Sequence, residues 1–234
     1  MPTARTNSLK QQIQAVIIDL DGTMLDTAAD FLLAINLMRA EFTLAPLALE
    51  TIKVMIGKGS EHLIQQVLAL DFSATESAQH FDAALAAYQR HYLQVNGSAA
   101  TLYPDVVAGL QAMRGQGLRL ACVTNKPLAF AKPLMEQQGL AEYFELIYGG
   151  DSFTRKKPDP MPLLAVCTQF ALLPAHVLAI GDSSNDAEAA RAAGCPVWTV
   201  PYGYNHGLAI QNIQSDGIVE TLLQAARLLA IKIH

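Results

Sequence analysis

Four short apolar runs punctuate the chain, each ending in polar residues that packing alone does not require: AVIID at 15–19, LRLACVTN at 118–125, HVLAIGD at 176–182 and CPVWTV at 195–200. A fifth, weaker run is FELIYGGD at 144–151. Continuous apolar stretches rich in Val, Ile and Leu suit parallel strands buried on both faces. Helical spacing fills the intervals. Val106, Leu110 and Met113 fall at i, i+4 and i+7, as do Leu163, Cys167 and Phe170. Pro160 and Pro162 sit where the first turn of a helix tolerates proline, and Gly139 and Gly194 lie where C-terminal caps do. The alternation predicts an α/β fold: a doubly wound, Rossmann-like parallel sheet with right-handed crossovers.

Residues 24–101 interrupt this alternation. Phe31, Ile35 and Met38 form one stripe, Leu63, Val67 and Leu70 a second, and Phe81, Leu85, Tyr88 and Tyr92 a third. These are helical spacings with almost no strand signal between them. A segment of this length inserted directly after the first strand predicts an all-α cap domain over 24–101, on a core made of 1–23 and 102–234. Its two connections, 22–27 outward and 101–105 back, are short enough to act as hinges.

Composition narrows the class. The chain has 234 residues, against roughly 150 per domain, which leaves room for one core and this insert. With 51% hydrophobic and 16% charged residues, a disordered chain is excluded. Sixteen Lys+Arg against 21 Asp+Glu give a net charge of −5, so no general field for nucleic acid exists, despite a local cluster at Arg155, Lys156 and Lys157. No apolar run approaches the ~20 residues of a membrane span. Cys122, Cys167 and Cys195 are odd in number and far apart, so they form neither a disulfide framework nor a CxxC pair. The start, MPTARTNSLKQQIQ, lacks the apolar centre of a signal peptide. Together these features predict a soluble, reduced, cytoplasmic protein that partners neither membrane nor nucleic acid.

The chemistry gathers at the ends of the apolar runs. Asp19-Leu20-Asp21-Gly22-Thr23 follows the first, and in open α/β sheets ligands bind beyond the carboxyl ends of strands. Two acids one residue apart share a site only if the chain leaves the strand at once, which Gly22 permits. One carboxylate can attack phosphorus while the other protonates the leaving oxygen. Taken alone, the pentapeptide could also be a loop capping the next helix. Gly181-Asp182-Ser183-Ser184-Asn185-Asp186 repeats the arrangement after another strand. Asp182 beside Asp19 and Asp21 makes a hard-oxygen site of the kind that holds Mg²⁺, and without a cation these carboxylates oppose each other's ionisation. Asp186 also fits a helix N-terminal charge. Thr124-Asn125-Lys126 offers a hydroxyl, a backbone N–H and an amide donor to phosphate oxygens, or a helix N-cap. In Lys156-Lys157-Pro158-Asp159-Pro160, one lysine can hold a nucleophilic aspartate and the transferring phosphoryl together; a solvated lysine run is the alternative.

At these residues the chain resembles the haloacid dehalogenase-like phosphohydrolases. DLDGT at 19–23, TN at 124–125, KP at 157–158 and GDSSND at 181–186 match that superfamily's four motifs in order and spacing, and the likeness spans 15–205. The resemblance implies Asp19 as nucleophile and Asp21 as general acid/base. Thr124 (with the Asn125 backbone) and Lys157 would bind the phosphoryl group. Mg²⁺ would be held by Asp19, the Asp21 backbone oxygen and Asp182, with Asp186 supporting it through water or hydrogen bonds. Asp21 argues against dehalogenases and phosphonate-cleaving members, which lack that acid; Lys53 and Lys58 are the insert lysines that bear on the latter. VTNKPLAF at 123–130, GGDSFTRKKPDP at 149–160 and AAGCPVWTVPYGYNHG at 192–207 are similar to the bacterial phosphoglycolate phosphatases, which implies a small phosphorylated metabolite, 2-phosphoglycolate, as substrate.

Alternatives are a phosphatase for another small ester, a sugar-phosphate mutase, and a non-catalytic phosphometabolite sensor, which would need neither Asp19 nor Asp21. Gly57-Lys58-Gly59-Ser60 could present N–H groups and a cation to a substrate carboxylate, or be a turn and N-cap. The histidines at 62, 80, 91, 176 and 206 lack metal-ligand spacing and read as surface or helix residues. Trp198, Tyr202 and Tyr204 read as packing near the last strand, and Cys122 and Cys195 as buried and inert. Apolar residues in the insert fit a thick helical core or a dimer surface, so monomer and homodimer both stand.

Overall fold

The computed structural model describes residues 13–231; the polar chain start, read above as lacking a signal peptide, lies almost wholly outside the described residues. The strands in chain order are β1 (Ala15–Ile18), β2 (Leu25–Asp26), β3 (Thr101–Leu102), β4 (Arg119–Val123), β5 (Leu146–Tyr148), β6 (Val177–Gly181), β7 (Val197–Thr199) and β8 (Gly217–Ile218). The helices are α1 (Ala28–Glu41), α2 (Leu49–Lys53), α3 (Ser60–Leu68), α4 (Ala74–Val95), α5 (Val106–Gly115), α6 (Leu128–Gln137), α7 (Met161–Phe170), α8 (Ser184–Ala193) and α9 (Leu222–Ala230).

Six strands form one sheet in the order β5-β4-β1-β6-β7-β8, parallel throughout. Alternation along each strand sends side chains to opposite faces. Val16, Ile18, Leu120, Cys122, Leu178 and Ile180 pack with residues of α5, α6 and α9. Ala15, Ile17, Ala121, Val123, Val177 and Ala179 pack on the other side with residues of α7 and α8. Both faces are therefore buried, which is why these strands read as unbroken apolar runs. Within α5, Val106, Leu110 and Met113 are all buried, so Leu110→Ala would cost about 2–5 kcal/mol. Gly194 ends α8 in the left-handed conformation, as its position suggested.

The insert after β1 is helical. Phe31, Ile35 and Met38 of α1, Leu63 and Val67 of α3 and Tyr88 and Tyr92 of α4 form one buried cluster, which also takes in Phe130 of α6. Leu70 departs from its expected stripe: α3 ends at Leu68, and Leu70 is exposed. Strand pairing also occurs where none was expected. β2 and β3 join antiparallel, Leu25 opposite Leu102 and Asp26 opposite Thr101, and so tie together the two connections of the insert. β8 was not foreseen either, because two residues, one of them glycine, carry no periodic signal.

The basic cluster is distributed among acids rather than free: Arg155 pairs with Asp159, Lys156 with Glu61 of α3, and Lys157 is buried. The three cysteines are buried and unbridged. Among the described residues, no helix is long and apolar enough to cross a membrane.

Candidate active site

Adjacent parallel strands bring their ends together. Ile18 is in register with Cys122 on β4 and with Ile180 on β6, so the exits to Asp19, Thr124 and Asp182 lie side by side. Lys157 arrives on the loop between β5 and α7, and Asp186 lies in the first turn of α8. The chain turns sharply after Asp21. Gly22 has φ 84, and a Cβ there would overlap the Asp182 carboxylate.

Asp19, Asp182 and Asp186 each offer an oxygen within 4.8 Å of the others. The Lys157 ammonium sits among them, 2.8 Å from Asp19 Oδ1 and 2.7 Å from Asp186 Oδ1, and donates to the Val123 carbonyl at 2.7 Å. Burial alone would lower the affinity of Lys157 for its proton; Asp186 and Asp19 outweigh that and hold the ammonium above its usual range. Both oxygens of Asp186 are engaged, since Oδ2 accepts from the Ser183 N–H and hydroxyl at 3.2 and 2.8 Å. Asp182 accepts from the Tyr204 N–H at 2.7 Å and the Thr23 hydroxyl at 3.2 Å.

One ammonium does not balance three carboxylates. Two like charges 4.8 Å apart repel by about 3 kcal/mol at an effective dielectric constant of about 20. Burial pushes the Asp19 carboxyl well above its usual range; Lys157 opposes that, and Asp186 and Asp182 add to it. Asp182 is pushed up to about 7, first by burial and then by Asp186. Buried, oxygen-only and short of positive charge, this donor set fits a divalent cation.

Asp21 faces elsewhere. Its Oδ1 accepts from the Thr27 hydroxyl at 2.6 Å and from the Lys126 ammonium at 2.8 Å, and it lies outside the three-carboxylate cluster. Asp21 nevertheless lines the same crevice as Asp19, Thr124 and Asn125. The opposite wall comes from the insert, chiefly Phe31, Ile56, Leu63 and Tyr92. The sequence-named residues thus come together, apart from the insert lysines: Lys53 pairs with Glu50, and Lys58 is exposed and does not line the crevice.

Several residues of the site were not foreseen. Lys126 is a buried cation in the crevice, a role the sequence did not assign to it. The packing role expected for Tyr204 is incomplete: its hydroxyl donates to Asp26 at 2.8 Å and accepts from the N–H groups of Thr27 and Ala28 at 2.7 and 3.0 Å. His206 is half-buried with Asn185 3.1 Å from its Nε2, rather than on an open surface. Asn125 and Asn185 both donate to the Gly57 carbonyl of the insert, at 3.0 and 3.2 Å. The one available signal was the glycine and aromatic richness of PYGYNHG at 201–207, which fits a loop that approaches other backbone closely.

The comparisons with known proteins agree with this arrangement. Residues 16–200 match the family model of the haloacid dehalogenase-like hydrolases. A phosphoglycolate phosphatase of Thiobacillus denitrificans is 47% identical over 92% of this chain and 94% of its own length. One from Nitrosospira multiformis is 46% identical over 93% of this chain and 96% of its own. Among solved structures, a predicted phosphoglycolate phosphatase from Haemophilus somnus superimposes with a TM-score of 0.84 at 31% identity, covering 92% of this chain and 97% of that one. On its sheet, its helical insert and this similarity, the chain belongs to the haloacid dehalogenase-like hydrolases.

Proposed function

We propose that the protein is a phosphomonoester hydrolase that turns over through an aspartyl-phosphate on Asp19, with 2-phosphoglycolate as its substrate. The observation that carries the chemistry is the single crevice lined by Asp19, Asp21, Thr124 and Asn125. The substrate is supported by the relatives of 46–47% identity named phosphoglycolate phosphatase.

In this reading the Asp19 carboxylate attacks phosphorus, and Asp21 gives its proton to the departing alkoxide. Asp21 then takes a proton from water, which attacks the phosphorus of the aspartyl-phosphate and returns Asp19 and phosphate. Thr124 and the Asn125 backbone N–H hold the phosphoryl oxygens as charge develops, and the Lys157 ammonium, bonded to Asp19, supplies positive charge beneath them. Asp186, bonded to Lys157, fixes where that ammonium points. Mg²⁺, held by Asp19, Asp182 and the Asp21 backbone carbonyl, would offset the negative charge of cluster and phosphate. Residues 24–101 serve as a cap over a core of 1–23 and 102–234, excluding bulk water from the first step. Three buried free thiols suit a reducing compartment, the cytoplasm.

The test is phosphate release with Mg²⁺, and again with EDTA, across 2-phosphoglycolate, sugar phosphates, nucleotides and pyrophosphate. The expected result is Mg²⁺-dependent release, with kcat/KM for 2-phosphoglycolate at least ~100-fold above the rest, ~2.7 kcal/mol in transition-state terms. A flat profile would remove the substrate, and no release from any ester would remove the hydrolase.

A further inference from the structure

We propose that Lys126 and Tyr92 form a subsite for an anionic group on the leaving alcohol, selecting phosphate esters that carry a carboxylate one carbon from the ester oxygen. The inference rests on the hydrolase reading above and concerns what lies beyond the transferring phosphoryl. An ammonium has three N–H donors. Among the described residues, Lys126 directs two of them, to Asp21 Oδ1 at 2.8 Å and the Tyr92 hydroxyl at 2.6 Å. It lines the crevice, so the third is available to a ligand there. The rings of Phe31 and Tyr92 lie 4.5 and 4.8 Å from its Nζ and replace part of the hydration lost on burial. Lys126 is the one cation lining this crevice among the described residues, since Lys157 is committed beneath it to Asp19, Asp186 and the Val123 carbonyl.

A second polar group waits in the same crevice. The Tyr88 hydroxyl is fully buried beside Ser60 and makes no hydrogen bond of normal geometry. The remaining walls include Phe31, Ile56, Leu63 and Phe130. A leaving group entering here meets one ammonium, the hydroxyls of Tyr88, Tyr92 and Ser60, and mostly hydrocarbon. That environment suits a short anion and has too few polar partners for all the hydroxyls of a sugar.

Spacing sets the length of the leaving group. The ester oxygen must come within ~2.6–3.2 Å of Asp21 to receive its proton. Lys126 Nζ is 2.8 Å from Asp21 Oδ1, so an anionic oxygen held by Lys126 lies only a few ångströms from the ester oxygen. The methylene and carboxyl carbons of a glycolate unit span that gap, whereas an anion across a sugar ring overshoots it. Lys58, the cation that the sequence offered for a carboxylate, is exposed and outside the lining; Lys126 takes that place.

The experiment compares Lys126→Met and Tyr92→Phe with the unaltered full-length protein, using 2-phosphoglycolate, ethyl phosphate, whose leaving alcohol is uncharged, and glycolate as inhibitor. Lys126→Met is expected to lower the ratio of kcat/KM between the two esters by about 30-fold or more, mainly through KM, and Tyr92→Phe by about 3–10-fold. Glycolate is expected to inhibit the unaltered enzyme and to inhibit Lys126→Met at least about tenfold less well. Equal losses on both esters would overturn the subsite, because Lys126 would then act only by positioning Asp21. Failure of glycolate to inhibit the unaltered enzyme would also overturn it, even if Lys126→Met does not fold. An unaltered enzyme that ignores 2-phosphoglycolate but cleaves other esters overturns the substrate reading, and inactivity on all esters overturns the chemistry.

Discussion

A carboxyl group is an ordinary acid in water and a different reagent under three charged neighbours. Asp19 is crowded by Asp182 and Asp186, and its ionised form survives on the Lys157 ammonium. Asp19→Asn removes the nucleophile together with a buried charge that was costly to ionise. Turnover is expected to fall by about 10⁴-fold or more, while the urea midpoint stays level or rises; phosphate release and a denaturation curve check both, and normal turnover would defeat the assigned attack. Tyr204 acts through one hydroxyl bonded to three groups. Tyr204→Phe leaves the buried Thr27 N–H unpaired, while the Ala28 N–H keeps Asp26 Oδ1 at 3.2 Å, for an expected loss of about 1–3 kcal/mol, read as a lower urea midpoint at constant slope. Neither Tyr204 nor Lys126 was legible in the chain. Their partners lie 178 and 105 positions away, and local pattern cannot report such pairings. Asp19, Asp182, Thr124 and Lys157 were legible as a set because each follows a strand or precedes a helix whose apolar pattern marks where the chain exits.

At the scale of elements, α1 shows how local rules yield to the site. Thr27 is its N-cap residue and has no side-chain capping bond, because its hydroxyl is turned to Asp21. The Tyr204 hydroxyl caps the helix in its stead, arriving on the loop after β7. The same loop carries His206, packed against Gly57 and Asn185. Burial lowers the affinity of His206 for a proton below the usual range near 6.5; Lys58 and His62 add to this, and Asp186 opposes it. In the window just below that value, the unfolded chain binds the proton more readily than the folded one, so stability rises with pH there and is lost on acidification. His206→Asn, which tolerates the φ of 51 at this position, is expected to shrink the difference in unfolding free energy between pH 7.5 and pH 5.5; urea titrations at both values measure it. The β2–β3 ribbon and β8 stayed hidden in the sequence because strands of two residues have no period to detect.

For the whole molecule, the sheet gathers acids from distant parts of the chain, and the repulsion among them opposes folding until a cation arrives. A ligand that binds only the folded state stabilises it by mass action, about 2.7 kcal/mol at a hundred times its Kd. For a chain of this size that raises the unfolding temperature by about 5–10 °C. Mg²⁺ is expected to raise the midpoint by this amount over EDTA, and Asp182→Asn to abolish most of the rise; differential scanning fluorimetry reads both without any assay of turnover. The parallel α/β core and the helical insert were visible in outline because burial on two faces leaves an unbroken apolar signature. How insert and core meet was not, since that contact pairs residues far apart in the chain, such as Asn185 with Gly57.

The Gly57 carbonyl is held by amides from two separate core segments, one on the loop beside Thr124 and the other in the first turn of α8 beside Asp186. Every residue carries such an oxygen, so no side-chain replacement in the insert deletes this handle. At φ 111, with the His206 ring 3.0 Å from where a Cβ would stand, position 57 itself tolerates little but glycine. Heritable change in how the two parts engage is therefore channelled to the core asparagines, leaving the rest of the insert freer to diverge.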